Sequence, residues 1–434
     1  MTTEEAVRLL SEAEKSSGEK TEFIKTMMES LRKRLRDDLK EARFAKPLDS
    51  LRAKYIYADS GMKSLSYNND GDLYSKGSNE RIGLTSRAEL GRLSFYIEPE
   101  FRHSDGDTVV ALKRGYGVFS FKGLDLTVGK DSQWWGPGRH GSILLSNNAE
   151  PFTMVRLTNP QPVLLPSILK SLGPFRFNFF VTRLEKNRKG PSEPYLWGLR
   201  MNFKPRPYLE IGISRTALLG GSGRPAGLSV WLKSLLGAGE NQRGTGGTGD
   251  QRAGFDVKLT LPFSVQPIQL YLDAAGEDQA GFLPYKWAYM TGVYLPRILS
   301  FERLSFRGEY ANTHVSGSSN VWYNHGIYRE GYRYKGDIIG HHMGTDSRDL
   351  FAEFSYLLPE RDGRISIAYD REEHNLSKVV REKKDELSLD LEMKIGKEAN
   401  LEAFYRYGKF RNFENISGND RNAHVVAADF EYRF

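Results

Sequence analysis

The chain has 434 residues, no cysteine, 39% hydrophobic and 12% aromatic residues, and 62 Lys and Arg against 55 Asp and Glu, a net charge of +7. No segment approaches the roughly 18 consecutive apolar residues of a spanning helix, which excludes a polytopic helical membrane protein, and the missing cysteine excludes zinc ribbons, thiol nucleophiles and disulfide scaffolds. A mean hydropathy of -0.53 beside 22 Tyr, 24 Phe and 43 Gly fits apolar residues that alternate with polar ones, and the positive balance favours anionic partners.

The first stretch of the chain is patterned as helix. Thr2 and Glu5 can form a capping box, and Ala6, Leu9, Leu10 and Ala13 share one face of a short helix. Ser16-Ser17-Gly18 ends it, and Phe23, Met27, Leu31, Leu35 and Leu39 mark a second, basic amphipathic helix. The expectation is a small helical segment over residues 1–46 that packs on the rest of the protein, with one large β-domain over 47–434.

From Leu48 the period changes to two. Phe255, Val257, Leu259 and Leu261 alternate with Asp256, Lys258 and Thr260. Leu350, Ala352, Phe354, Tyr356 and Leu358 do the same, as do Leu387, Leu389, Leu391, Met393 and Ile395. Such runs are longer than the five or six residues usual for soluble sandwiches, and match the roughly 9–11 residues of a tilted strand that crosses a bilayer. The chain ends with His424, Val426, Ala428, Phe430, Tyr432 and Phe434 on one face of a last strand, which resembles the C-terminal strand of bacterial outer-membrane barrels.

Taking that strand as descending to the periplasm, short turns fall near Gly396-Lys397, Pro359 to Asp362, Pro296 to Leu299, Phe263 to Val265 and Lys204-Pro205. Long polar connections alternate with them, including Thr216 to Arg252 and His314 to Ser347. Even parity requires a descending strand near Glu150 to Asn159, and the count becomes about 18. The fold class is therefore mainly β, a transmembrane antiparallel barrel with long extracellular loops. Gly237 to Gly254 reads as a mobile loop, and Trp322 to Asp346 as an ordered one.

The densest motif is Asp131-Ser132-Gln133-Trp134-Trp135-Gly136-Pro137-Gly138-Arg139-His140-Gly141-Ser142, continuing through Asn147-Asn148 to Phe152. Further motifs are Lys204-Pro205-Arg206-Pro207-Tyr208-Leu209-Glu210 through Ser214-Arg215-Thr216, and Gly276-Glu277-Asp278. The last is Trp322-Tyr323-Asn324-His325-Gly326-Ile327-Tyr328 through Gly331-Tyr332-Arg333-Tyr334, with Ile339-Gly340-His341 after it. In this order and over nearly the whole chain, they resemble the Wzi-type capsule assembly proteins, outer-membrane lectins of Gram-negative bacteria. The resemblance implies a barrel of about 18 strands with periplasmic N-terminal helices, and non-catalytic binding of surface polysaccharide that attaches or organises a capsule or exopolysaccharide. Members of that family usually begin with a signal peptide and a longer N-terminal segment, so a missing signal, and part of the bundle with it, is expected.

Sugar recognition needs flat aromatic faces, planar amides and guanidinium groups, and cations for uronates. Trp134, Trp135, Arg139, His140, Asn147 and Asn148 supply these in one loop; Trp322, Tyr323, Asn324, His325, Tyr328, Tyr332 and Tyr334 supply them in another. The competing role for both sets is structural, with loops folded inward to plug the lumen. His140-Gly141-Ser142 is a His-x-Ser triplet like that of outer-membrane phospholipase, with Asn147 or Asn148 as an orienting group, but its loop position after Gly-Pro-Gly argues for coincidence. His341-His342 with Asp346 lacks a metal-ligand spacing, and Glu277-Asp278 point apart in an extended chain. No catalytic role, cofactor, metal or nucleic-acid partner is expected. The expected partners are acidic surface polysaccharide, outer-membrane lipid and polysaccharide export machinery; the alternative function is a porin or polysaccharide export channel.

Overall fold

Alternating side chains commit each long segment to a strand with two unlike faces, and eighteen such strands follow one another along the chain. They are β1 (Arg43–Ala58), β2 (Gly77–Leu90), β3 (Leu93–Ser104), β4 (Asp107–Phe121), β5 (Leu124–Asp131) and β6 (Phe152–Thr158). Next come β7 (Pro174–Arg183), β8 (Tyr195–Arg206), β9 (Leu209–Leu219), β10 (Asp250–Leu261), β11 (Ile268–Glu277) and β12 (Trp287–Leu295). The last six are β13 (Leu304–Asn312), β14 (Arg348–Leu358), β15 (Gly363–His374), β16 (Glu382–Ile395), β17 (Ala399–Arg411) and β18 (Arg421–Arg433). The structure, a computed structural model, describes Leu10 and residues 25–29, 31–32, 43–237, 249–277, 279–280, 283–284, 286–318 and 321–434.

Each strand pairs antiparallel with its neighbours in sequence, and β18 returns to β1 in register from Ser50↔Arg433 to Ala58↔Val425. This pairing satisfies both edges and closes the sheet into a barrel. Val163–Leu164 pairs antiparallel with Phe175 and Pro174 at the start of β7. The expected count of about 18 is met. The turn expected at Lys204-Pro205 lies at 207–208 instead, because β8 continues through Arg206. Helix is present at Leu10 and at residues 25–29 and 31–32. The remainder of the expected helical segment up to residue 42 lies outside the described residues, as do 238–248 of the loop expected to be mobile. Strand β1 starts at Arg43, four residues before the expected domain boundary, because Arg43 to Lys46 pair with Arg87 to Leu90.

The barrel is inside-out by the standard of a soluble protein. Leu350, Phe354 and Tyr356 on β14, Ile365 and Ile367 on β15, Leu387 and Leu389 on β16, and Val426 and Phe430 on β18 are exposed on the outer wall. Their strand neighbours Asp349, Ser366, Asp370, Glu386 and Asp429 are buried inside. A continuous apolar belt around a polar interior is stable only where the belt meets hydrocarbon. Turns such as 91–92, 122–123, 207–208 and 396–398 are short at one end, while 59–76, 132–151, 220–249 and 313–347 are long at the other. The largest apolar core is in the lumen, not between sheets: Trp135, Ile143, Leu144, Leu145, Trp322, Tyr323, Tyr328, Tyr332 and Ile339 cluster there with inward residues of the wall.

Candidate functional site

The 132–151 loop turns into the lumen because wall carboxylates satisfy its backbone. Glu309 on β13 accepts from the N–H of Arg139 (2.8 Å) and of His140 (2.9 Å), and also from the Tyr271 hydroxyl (2.6 Å). Asp273 on β11 accepts from the N–H of Ile143 at 3.1 Å. Two glycines of the motif are required by this approach. A Cβ at Gly138 would lie 2.3 Å from the Gly141 carbonyl oxygen, and one at Gly141 would lie 2.1 Å from His341 Nε2.

The 313–347 loop packs on the first. Tyr323 donates to the Ile143 carbonyl (2.7 Å) and accepts from the His341 N–H (2.9 Å). Ser146 N–H donates to Ile339 (2.9 Å), and Asn148 Nδ2 donates to the Ile338 carbonyl (3.0 Å). Trp322 Nε1 donates to the Lys286 carbonyl at 2.9 Å, and the Tyr328 hydroxyl to the Gly220 carbonyl at 3.1 Å. The Arg252 guanidinium lies over Tyr332, 4.3 Å from its ring centre, while it pairs with Glu277 at 2.7 Å. Burial pushes the phenols of Tyr328 and Tyr332 up to about 12, so both remain protonated.

Where the two loops meet β14, β15 and β16, a buried ionic cluster forms. Lys384 Nζ lies 2.9 Å from Asp370, 2.5 Å from Glu372 and 2.9 Å from Glu386. Tyr67, from the 59–76 loop, donates to Glu386 at 2.9 Å and stacks on His342 with ring centres 4.4 Å apart. His140 and His342 each point Nε2 at Asp349 Oδ2 from 3.4 Å. Burial opposes charge on His140, but Asp349 and Asp370 outweigh it and hold its imidazole well above the ordinary histidine value. His341, buried beside the other two rings, is held well below it.

This cluster divides two cavities. The one on the loop side, of about 310 Å³, is lined by Lys63, Ser64, Tyr67, Asn148, Arg333, Asp337, His342 and His374. Lys63 pairs with Asp337 at its rim, and Lys335, paired with Glu150 at 2.7 Å, is exposed nearby. The one on the turn side, of about 390 Å³, is lined by Tyr67, Trp134, Arg139, His140, Asn147, Arg364, Asp390 and Arg406.

The sequence candidates therefore separate. Trp135, Trp322, Tyr323, Tyr328 and Tyr332 are at most 3% exposed, leaving no face to lay against a sugar ring, and Tyr334 is 9% exposed. Trp134, Arg139, His140 and Asn147 border the turn-side cavity, and Asn148 borders the loop-side one. Asn324 and His325 are half-buried in the outer part of the 313–347 loop. The His-x-Ser triplet is not assembled as a nucleophile and base: the Ser142 hydroxyl donates to the Trp135 carbonyl, while His140 Nε2 faces Asp349 and Asp370. Asp346 accepts from Ser377 and contacts His314, away from the His341-His342 carboxylate partners. Glu277 is taken by Arg252, and Asp278 lies outside the described residues. Lys63, Tyr67, Asp337 and His374 also line the two cavities, although no sequence motif marks them. The Tyr67-Asn68-Asn69-Asp70 run, an aromatic followed by amides in a strand connection, is the nearest local signal.

A closed antiparallel barrel with an apolar outer belt, short turns at one end and long loops packed into its lumen is an integral outer-membrane β-barrel. This chain belongs to the family described as capsule assembly protein Wzi, whose profile matches residues 57–425. Over 180 residues it is 30% identical to an uncharacterized 55.8 kDa protein in the cps region of Klebsiella pneumoniae. That match covers 41% of this chain and 35% of the relative, so it spans about a third of the relative's length. The fold is similar to that of Escherichia coli Wzi, described as an outer membrane protein involved in group 1 capsule assembly and a carbohydrate-binding β-barrel. The TM-score is 0.78 at 19% identity, over 100% of this chain and 92% of that one. Pseudomonas aeruginosa OccK3 shares the barrel at a TM-score of 0.54 and 14% identity, over 92% and 97% of the two chains.

Proposed function

We propose that this protein binds exported, acidic polysaccharide at the cell surface without chemically altering it, and so holds or organises a capsule or exopolysaccharide layer. The family match over residues 57–425 carries the reading, and the chemistry of the loop-side cavity supports it. That cavity offers two cations, Lys63 and Arg333, beside amide, hydroxyl, imidazole and carboxylate groups. Such a set suits hydroxyls and carboxylates of a charged glycan more than an apolar ligand. Asn148 belongs to this surface. Trp135, Trp322, Tyr323, Tyr328, Tyr332 and Tyr334 act as the apolar core of the plug, and Trp134, Arg139, His140 and Asn147 serve its turn side. Contacts with outer-membrane lipid follow from the apolar belt, and partnership with export machinery remains part of the same proposal.

The test is binding of purified protein to polysaccharide from the source strain, with cell-attached polysaccharide measured in a deletion strain. Absence of binding together with unchanged attachment overturns the proposal. Lys63→Ala is expected to weaken binding about 3- to 10-fold at low salt and to flatten its salt dependence, the size of an exposed charge contact. Among the described residues no observation favours a porin over this reading, because the 132–151 and 313–347 loops occupy the lumen.

A further inference from the structure

We propose that His140, His342, Asp349 and Asp370 form a binding site for one divalent transition-metal ion of the zinc class, which pins the two plug loops to the barrel wall. The proposal rests on spacing, unpartnered donors and charge.

Bonds of about 2.0–2.1 Å at tetrahedral angles place neighbouring ligand atoms roughly 3.3–3.4 Å apart. Here His140 Nε2 and His342 Nε2 are each 3.4 Å from Asp349 Oδ2, and His140 Nε2 is 3.5 Å from Asp370 Oδ1. These separations exceed the ordinary 2.7–3.2 Å of an N–H···O hydrogen bond. The sets His140–His342–Asp370 and Asp349–Asp370–Glu372 each bring their donor atoms within 4.8 Å of one another.

The donors also lack other employment. Both carboxylate oxygens of Asp349, Asp370 Oδ1, His140 Nε2 and His342 Nε2 are buried without a hydrogen-bond partner, whereas Asp370 Oδ2 is ion-paired with Lys384 at 2.9 Å. Asp349 is 2% exposed, and a buried carboxylate in that state is costly unless a cation compensates it. Lys384 does not do so, since its ammonium is turned to Asp370 Oδ2, Glu372 and Glu386. Across the cluster, Asp349, Asp370, Glu372 and Glu386 bring four negative charges against two fixed positive ones, Lys384 and Arg406, a deficit of two that His374, 3.0 Å from Glu372, reduces to one when its ring is protonated. One divalent ion closes that deficit at a single point. Two imidazolium rings would have to do so with His140 and His342 ring centres only 4.6 Å apart.

Two imidazoles with two carboxylates select zinc-class ions over calcium or magnesium, which prefer all-oxygen shells. The consequence is mechanical. His140 comes from the first plug loop, His342 from the second, and the aspartates from β14 and β15, so one ion links the plug to the wall between the two cavities. His341 Nε2 lies 3.9 Å from Asp349 Oδ2 and, with His342 and Asp349, makes a further set of donors within 4.8 Å of one another, so it borders the site as an alternative ligand.

The experiment uses the untagged full chain in detergent, stripped with EDTA and titrated with zinc chloride, with bound metal measured by mass spectrometry. About one zinc per folded chain is expected, with Asp349→Asn and His140→Gln each reducing the uptake about tenfold or more. His424→Gln, on the outer wall, should retain it. X-ray absorption of the zinc-loaded wild type should show about four nitrogen and oxygen ligands near 2.0 Å. Folded wild-type protein that takes up no zinc overturns the proposal and assigns the charge balance to imidazolium. Full uptake by both variants, or a six-coordinate shell of water oxygens, overturns it as well. If either variant fails to fold, the wild-type titration and absorption spectrum decide.

Discussion

At the scale of single residues, space is the controlling quantity in the lumen. Gly198 on β8 faces the plug, and a Cβ there would lie 2.5 Å from Phe180 Cε1 and 2.6 Å from the Trp135 ring. Trp135 is the plug side chain that packs edge-on to Phe180 at 5.6 Å. Gly198→Ala is therefore expected to destabilise the barrel by about 1–3 kcal/mol, the usual cost of overpacking. The measurement is a lowered temperature for loss of the compact, heat-modifiable band on gels, and an unchanged midpoint would show that the plug gives way without cost. The Trp-Trp-Gly-Pro-Gly motif was conspicuous in sequence, but sequence could not choose between a sugar platform and a plug. The choice depends on Glu309 and Asp273, more than a hundred residues away, receiving its backbone N–H groups.

At the scale of elements, period-two alternation separates two environments across each strand. Leu389 on β16 is 50% exposed on the outer wall, whereas its neighbour Asp390 borders the turn-side cavity. Leu389→Arg is expected to cost about 2–4 kcal/mol near the middle of the bilayer. Ser388→Arg, on the inner face of the same strand, should be tolerated much better in assembly into vesicles. Equal assembly yields for the two variants would contradict the assignment of faces. The faces, the strand lengths and the strand count were legible because alternation is local. Turn positions were less so: Pro207-Tyr208 closes the β8–β9 hairpin, since Lys204 and Pro205 still fit the extended strand.

At the scale of the whole molecule, closure and filling are separate events. Closure is made by β1 and β18, where Arg52 on the inner face reaches Asp429 across the seam with Nε at 2.7 Å from Oδ1. Filling is made by the 132–151 and 313–347 loops. The wild type is expected to show little single-channel conductance in planar bilayers. Removing the segment 136–145 and bridging it with glycines should raise conductance at least about tenfold, because an emptied barrel of this strand number is wide enough for water. A steady large conductance in the wild type would instead favour the channel alternative.

The amino-acid sequence by itself determined the architecture: long alternating strands, an even count and an aromatic C-terminal strand follow from side-chain order and the thickness of a bilayer. It also carried the family motifs. Only the tertiary structure decided what those motifs do. Of the two roles left open for the aromatic motifs, sugar platform or plug, Trp135, Trp322, Tyr323, Tyr328 and Tyr332 took the plug core, and Trp134 and Arg139 came to face the turn side. The loop-side cavity gathered Lys63, Asn148, Asp337 and His374 from four distant segments. The physical reason is that a strand's faces are set by neighbours two residues apart, whereas a loop's placement is set by which remote groups satisfy its backbone and bury its rings.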